Sequence, residues 1–95
     1  MTDVVQHREQ GGRGEFFIER EGARVAEMTY RRTGEAAILI DHTEVDVSLR
    51  GGGVARQLLD AAVAWARQNH IKITPACSYV VVQFARDPSL QDVKA

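Results

Sequence analysis

A glycine-rich segment near the middle of the chain has residue types suited to binding a phosphate group. It runs from Arg50 through Gly51-Gly52-Gly53 to Val54-Ala55, and a strongly periodic helical pattern follows it. Backbone N–H groups at a helix N-terminus attract phosphate, and so does the positive end of the helix dipole. Glycines let the anion come close because no side chain blocks its approach. The segment therefore predicts a phosphate or pyrophosphate site, with a merely flexible connection as the alternative.

The residues around the glycines discriminate between three phosphate-binding patterns. A Walker A loop requires Lys-Ser/Thr after the last glycine, where this chain has Val54-Ala55. The dinucleotide-binding fingerprint requires a third glycine at Arg56 and a preceding βαβ unit. The pattern Arg/Gln-x-x-Gly-x-Gly/Ala is satisfied by Arg50, Gly53 and Ala55. Only this third pattern fits the sequence.

Composition argues against several other classes of function. Twelve Lys and Arg against thirteen Asp and Glu give a net charge of −1, whereas nucleic-acid binders usually carry a basic surplus. No apolar run is long enough for a membrane span, and the polar start Met1-Thr2-Asp3-Val4 is not typical of a signal peptide. The single cysteine, Cys77, fits a reducing compartment. We therefore expect one cytoplasmic domain over residues 1–95 that binds neither nucleic acid nor membrane.

A metal site is not expected either. The residue types that ligate transition metals are few in this chain, and they lie far apart without the usual ligand spacing. They are His7, His42, His70 and Cys77.

The elements before the glycines follow a two-residue alternation. After a loose polar start of about a dozen residues, alternation predicts strands from Gly14 to Arg20 and from Arg24 to Tyr30. The apolar run Ala36–Ile40 predicts a third strand covered on both faces. These three strands predict an antiparallel meander.

The elements after the glycines follow a helical period and then become ambiguous. A helix is predicted over roughly Gly53 to Asn69, with Asn69 as a left-handed cap. Its predicted buried face is Val54, Leu58, Ala61, Ala62 and Trp65. Ile71–Thr74 predicts a short strand parallel to the third strand. The composition of Tyr79–Val82 favours a strand, although Val80, Val81 and Phe84 would also suit a buried helical face.

Three segments together resemble the minimal single-domain branch of the GNAT acetyltransferase superfamily. They are Asp41-His42-Thr43-Glu44-Val45, Leu49-Arg50-Gly51-Gly52-Gly53-Val54-Ala55 and Thr74-Pro75-Ala76-Cys77-Ser78-Tyr79-Val80. In that branch a His-Thr-x-Val strand end precedes the glycine loop, and a Pro-x-Cys-Pro segment follows the next strand. The motifs occur here in the same order, and the resemblance covers residues 14–88.

The resemblance implies an α+β fold. It would have a twisted, mainly antiparallel sheet, one long crossover helix and a second, C-terminal helix after Cys77. The third and fourth strands would splay apart, and coenzyme A would lie in the gap. The glycine loop would bind its pyrophosphate, and freed backbone N–H groups at Val45 to Val47 would hold the pantetheine arm and the thioester carbonyl. The coenzyme-binding residues are then Val45, Val47, Arg50, Gly51, Gly52, Gly53, Val54 and Ala55.

The resemblance also implies transfer of an acetyl group from acetyl-CoA to an amine. His42 would act as general base, directly or through a water, with Glu44 as the alternative. Cys77 would be either a proton donor to the departing thiolate or an acyl-accepting nucleophile, and Tyr79 is the alternative acid. The acceptor would be a small amine, a peptide or a protein.

Two departures from the branch keep other functions open. Ser78 replaces a proline, and Gln83 stands where the branch often has a tyrosine. GNAT enzymes commonly use a tyrosine in this helix to protonate the thiolate. A coenzyme A binding module without turnover is therefore the alternative, and a small interaction protein without a ligand is the third hypothesis.

Overall fold

The computed structural model describes residues 3–95, so the part of the predicted polar start formed by Met1 and Thr2 lies outside the described residues. Five strands and two α-helices are joined by short turns and two 3₁₀ segments within this range. The strands are β1 (Gln6–Gln10), β2 (Arg13–Arg20), β3 (Ala23–Gly34), β4 (Ala37–Val45) and β5 (Lys72–Pro75). The helices are α1 (Val54–Gln68) and α2 (Ser78–Arg86), and the 3₁₀ segments are Val47–Leu49 and Pro88–Val93.

All five strands form one sheet in the order β1-β2-β3-β4-β5. The first four strands are antiparallel, and β5 pairs in parallel with β4 after the crossover through α1. The predicted α+β class is therefore confirmed, with a mainly antiparallel sheet, one crossover helix and a C-terminal helix.

The predicted loose start is wrong, because residues 6–10 form the edge strand β1 and pair with β2. The meander therefore has four strands and not three. All five side chains of β1 are exposed, so no alternation of polar and apolar residues marks the strand. A tight hairpin turn defines it instead: Gly11 and Gly12 both have positive φ, 61° and 79°, as the twist-matched two-residue hairpin turn requires.

The core lies between α1 and one face of the sheet. The buried residues of α1 are Val54, Leu58, Leu59, Ala62, Val63 and Ala66. They form one cluster with Phe16, Ile18, Met28, Tyr30, Ile38 and Ile40 of the sheet. The predicted helix face was therefore right at three positions, whereas Ala61 and Trp65 lie at the rim of the core and are only partly buried.

Two further predictions about the helices need correction. Asn69 ends α1 with φ −109°, and the left-handed residue is the next one, His70, with φ 55°. In α2, Val80 and Phe84 are buried as a helical face requires, but Val81 is 45% exposed. The helix forms despite its three consecutive β-branched valines because Val80 and Phe84 pack into the core, and such tertiary packing outweighs propensity.

His7 on β1 closes the rim of the core beside Trp65. Its ring stacks on Phe16 with centroids 4.2 Å apart, and its Nε2 lies 2.7 Å from the Tyr30 hydroxyl oxygen. The Tyr30 hydroxyl donates its only proton to Glu9 Oε1 at 2.7 Å. The His7 Nε2–H must therefore donate to Tyr30. Burial lowers the pKa of His7 below its ordinary value of 6.5.

The lowered pKa of His7 predicts a loss of stability in mild acid. The unfolded chain takes up the proton near pH 6.5, before the folded protein does. The free energy of unfolding should therefore be constant with respect to His7 above that pH, and should fall as the pH drops from there through the folded pKa. Urea unfolding between pH 5 and 8 measures this, and His7→Gln should have a shallower slope. Equal slopes in the two proteins would contradict the prediction.

The opposite face of β1–β4 is mainly charged, and it carries one buried aromatic ring. Phe17 is 2% exposed although it points away from α1. The guanidinium carbons of Arg24 and Arg8 lie 4.0 Å and 5.2 Å from its ring centre. Two hydrogen bonds of 2.8 Å to Glu15 hold Arg24 in place. The ring is thus covered by cation–π contacts.

The strands β4 and β5 pair only over a short length. The register ends at Ile40 opposite Pro75, and the amides of Ala76 and Cys77 both donate to the Ile40 carbonyl. Beyond this point β4 continues to Val45, whereas the segment that follows β5 turns into α2. The two strands therefore part at the level of Ile40, and residues 41–45 of β4 lead from there toward the glycine-rich turn.

Candidate functional site

The glycine-rich turn leads from the end of β4 into α1. Gly51 and Gly53 adopt left-handed conformations with φ 84° and 81°, which an L-residue with a side chain adopts only under strain. Gly53 is the N-cap of α1 and provides no side-chain hydrogen bond. The first N–H groups of α1, from Val54 onward, consequently have no partner within the helix and point toward the turn.

A shallow cavity of about 250 Å³ opens between this turn and the first turn of α2. Six of the eight residues predicted to bind coenzyme A line it: Val45, Arg50, Gly51, Gly53, Val54 and Ala55. The other wall is Tyr79, and Leu49 and Arg56 complete the lining.

Two predicted binding residues do not line the cavity. Val47 lies in the 3₁₀ turn with 73% of its surface exposed. The N–H of Gly52 donates to the Leu49 carbonyl at 3.3 Å, so it is already used within the turn. The prediction treated the glycines as equivalent, whereas the turn geometry gives each of them a different environment.

The two arginines that flank the glycines differ in their pairing. Arg50 donates from Nε to the Val45 carbonyl at 3.2 Å, and no carboxylate in residues 3–95 forms an ion pair with it. Arg56 instead binds Asp60, Gln83 and Asp87. Arg50 therefore leaves its positive charge available at the cavity, and Arg56 does not.

The two predicted catalytic residues lie on opposite faces of β4. His42 is half exposed on the charged face, with Nε2 3.4 Å from Glu44 Oε2. Cys77 is the N-cap of α2, and its Sγ lies 3.2 Å from Thr43 Oγ1. Since successive side chains of a strand point to opposite faces, Thr43 and Cys77 lie on the other side of β4 from His42. No hydrogen bond joins His42 to Cys77 within residues 3–95.

Sequence reasoning missed Thr43 as the partner of Cys77. The residues are 34 positions apart, and only the pairing of β4 with β5 brings them together. Alternation from the buried Ile38 and Ile40 would have placed His42 on the core-facing side. The register shift at Asp41 reverses this and turns Thr43 toward the core instead. Leu49 and the acceptors of Arg56 had no signal in the sequence.

The charged face holds one group of potential metal ligands that histidine spacing did not suggest. One ligand atom each from Glu27, His42 and Glu44 lies within 4.8 Å of the others. Glu27 belongs to β3, so only the β3–β4 register reveals the group. His42 and Glu44 are exposed, and exposed acidic groups of this kind are common without an ion.

No helix within residues 3–95 has the length and apolar character to cross a membrane.

Comparison with known proteins relates this architecture to one family. A family model described as GCN5-related N-acetyl-transferase matches residues 15–93. No curated protein matches the chain. Among solved structures, the chain is similar to the solution structure of a GCN5-like protein from Staphylococcus aureus. The two are 36% identical with a TM-score of 0.74, and the match covers 95% of this chain and 87% of the other.

More distant structures share the fold. A ribosomal-protein-alanine N-acetyltransferase from Brucella melitensis biovar Abortus 2308 is 20% identical, with a TM-score of 0.62 over 72% of this chain and 53% of its own. The aminoglycoside N-acetyltransferase AAC(6')-Iy in complex with CoA is 17% identical, with a TM-score of 0.61 over 80% of this chain and 67% of its own. The family model and the Staphylococcus aureus structure both match most of the sequence. The chain therefore belongs to the GCN5-related N-acetyltransferase family.

Proposed function

We propose that this chain is an acetyl-CoA-dependent N-acetyltransferase that acts on an amine. The observation that carries the proposal is the cavity at the N-terminus of α1, where unpartnered helix amides and the unpaired charge of Arg50 face the same space. A diphosphate needs both donors and positive charge, and glycines allow its close approach. The pyrophosphate of coenzyme A is assigned to this cavity.

The free edge of β4 provides a place for the pantetheine arm. The Asp46 N–H already donates to the Val25 carbonyl at 2.8 Å, so it is not available. Because N–H groups alternate in direction along a strand, the N–H of Val45 faces the side that β5 has left. We assign the amide-rich arm to this edge, which leads from the glycine turn back toward Thr43.

The reaction requires a base for the amine and an acid for the thiolate. The amine nitrogen bonds to the thioester carbonyl carbon and loses one proton, the C–S bond breaks, and coenzyme A leaves as the thiol after taking one proton. We assign His42 as the base on the charged face and Cys77 as the acid on the other face of β4. Because the nitrogen and the sulfur are bonded to the same carbon in the tetrahedral intermediate, His42 acts across the edge of β4 through a water, and Cys77 protonates the sulfur directly.

Tyr79 is the second candidate for the acid. Gln83, which replaces the tyrosine often found in this branch, has its amide oxygen occupied by Arg56 Nη1 at 2.7 Å. Tyr79 lies one helical turn earlier and lines the cavity. Burial raises the pKa of Tyr79, so its hydroxyl keeps a proton that it could donate.

A titration with acetyl-CoA tests the proposal. Amide chemical shifts of ¹⁵N-labelled protein should change first at residues 50–55. Transfer of labelled acetyl groups would then be measured on an aminoglycoside, a lysine-containing peptide and a peptide with N-terminal alanine. Transfer to any of them supports the proposal. Absence of binding at millimolar acetyl-CoA overturns it.

The alternative function is a coenzyme A binding module without turnover, which the engaged side chain of Gln83 favours. This hypothesis expects the same chemical shift changes at residues 50–55 and no labelled product with any amine. Gln83→Tyr would then be informative: if the missing acid is what prevents turnover, restoring the tyrosine should create labelled product.

Cys77→Ala should reduce turnover by about a hundredfold, the usual size of a general acid–base contribution, and change the Kd of acetyl-CoA less than twofold. The sulfur faces Thr43 and not the glycine turn, so the substitution leaves the phosphate site unchanged. Steady-state kinetics and calorimetry separate the two effects. Unchanged turnover would show that Cys77 serves packing alone, and Tyr79→Phe would then be the next variant.

A further inference from the structure

Arg56 joins the first turn of α1 to the end of α2. Its Nη1 donates to Gln83 Oε1 at 2.7 Å, and its Nη2 donates to Asp87 Oδ2 at 2.5 Å. Its Nε donates to Asp60 Oδ1 at 2.9 Å within α1. No other side-chain hydrogen bond joins α1 to α2 in residues 3–95.

This link borders the cavity, because Arg56 is one of its lining residues. Arg56 directly follows Ala55, the last residue of the glycine motif. Its backbone therefore belongs to the wall of the cavity that α1 forms. Gln83 is four residues after Tyr79, and residues at this spacing share a face of a helix. The bond from Arg56 to Gln83 therefore holds the helical face whose Tyr79 forms the opposite wall.

The link is maintained over the physiological pH range. Asp87 accepts hydrogen bonds from the backbone and hydroxyl of Ser89 through Oδ1, which leaves Oδ2 for Arg56. These bonds, those from Ser89 first and that from Arg56 next, lower the pKa of Asp87 to about 2. The carboxylate is consequently ionised wherever the protein works near neutrality.

We propose that Arg56 is a positioning residue for acetyl-CoA. By holding Gln83 and Asp87, it sets the separation between the glycine turn and Tyr79, and thereby the affinity for the coenzyme. Its own guanidinium does not contact the phosphates. This inference rests on the proposed function, since it concerns the same cavity.

The test compares Arg56→Met with Arg67→Met. Arg67 controls for the loss of an arginine link from α1 to the C-terminal segment: it lies in the last turn of α1, far from the glycine turn, and donates to Asp92 at 2.9 Å and 3.0 Å and to the Ser89 carbonyl at 2.7 Å, but it has no hydrogen bond to Gln83 or Asp87. We expect the Kd of acetyl-CoA, measured by calorimetry, to rise about tenfold in Arg56→Met and less than twofold in Arg67→Met. Arg56→Lys should recover part of the affinity, because an ammonium group can still bind Asp87. Equal Kd changes in the two Met variants would overturn the proposal.

Asp87→Asn distinguishes positioning from direct phosphate contact, and it remains informative if Arg56→Met does not fold. The asparagine amide can still accept from Ser89 while the ion pair with Arg56 is lost. Positioning expects weaker binding of acetyl-CoA. Direct contact expects equal or tighter binding, because Arg56 would be released from a competing carboxylate, and this result overturns the proposal. If the wild-type protein binds no acetyl-CoA, the proposed function itself fails; if it binds and Asp87→Asn does not weaken binding, only this inference fails.

Discussion

Gly53→Glu should abolish binding of acetyl-CoA, with a Kd at least a hundredfold above that of the wild-type protein. The new carboxylate would stand at the N-cap of α1, inside the cavity assigned to the pyrophosphate. It would fill the space that the phosphate needs and repel its charge. The fold should survive, because an added Cβ meets no atom within 4 Å and the left-handed φ of 81° costs only about 1–2 kcal/mol.

Gly22→Glu is the matched control for Gly53→Glu. Gly22 lies in the turn between β2 and β3, has φ 79°, and has no atom within 4 Å of an added Cβ. Both variants therefore gain the same charge and nearly the same strain. Calorimetry should find wild-type affinity in Gly22→Glu alone. Wild-type affinity in Gly53→Glu would mean that the phosphates bind elsewhere, and the proposed function would lose its main support.

Gly14→Ala is the substitution expected to destabilise the fold most. A methyl group at Gly14 would overlap Cζ, Oη and Cε2 of Tyr30 on the neighbouring strand. Tyr30 is fully buried, and its hydroxyl is held between His7 and Glu9, so the ring has no other place to go. Overpacking of this kind usually costs about 1–3 kcal/mol and occasionally more. We expect a loss of at least about 3 kcal/mol in urea unfolding, or no folding.

Gly34→Ala provides the comparison for this substitution. Gly34 ends β3, and the nearest atom to its added Cβ is Ala37 Cβ at 3.9 Å, an ordinary contact. The free energy of unfolding of Gly34→Ala should stay within about 0.5 kcal/mol of the wild-type value, as for most surface changes. If Gly14→Ala were equally mild, the ring of Tyr30 would have to move more easily than its two hydrogen bonds suggest.

The parts of the fold that depend on local residue types could be predicted from the sequence. The glycine turn and α1 are local features. Three consecutive glycines predict the turn, and the helical period of the apolar residues predicts α1. β1 could not be predicted in this way, since its side chains are polar and show no apolar alternation, and the two that contact the core rim are His7 and Glu9. For α2, propensity favoured the wrong structure, and the family resemblance supplied the right one. The reason is tertiary: Val80 and Phe84 gain more from burial than the valines lose in a helix.

In the candidate site, too, local features could be predicted from the sequence, whereas contacts between distant elements could not. Strand parity placed His42 and Glu44 on one face, and the structure agrees. The contact of Thr43 with Cys77 depends on where β5 ends, and the link from Arg56 depends on where α2 packs. Neither contact can be predicted from a short window of sequence. Spacing rules therefore find the residues of a turn, whereas contacts between elements require the complete topology.

The cation-covered ring of Phe17 has a consequence for how the molecule behaves at high concentration. Arg24→Ala would remove the nearer of the two guanidinium groups over this ring and expose part of it on the sheet face, one strand from the edge strand β1. Unprotected edges and apolar patches on sheets are where chains self-associate. The two arginines thus oppose self-association by covering the Phe17 ring. With this cover, one face of the sheet can remain in contact with solvent without a further layer of structure packed on it.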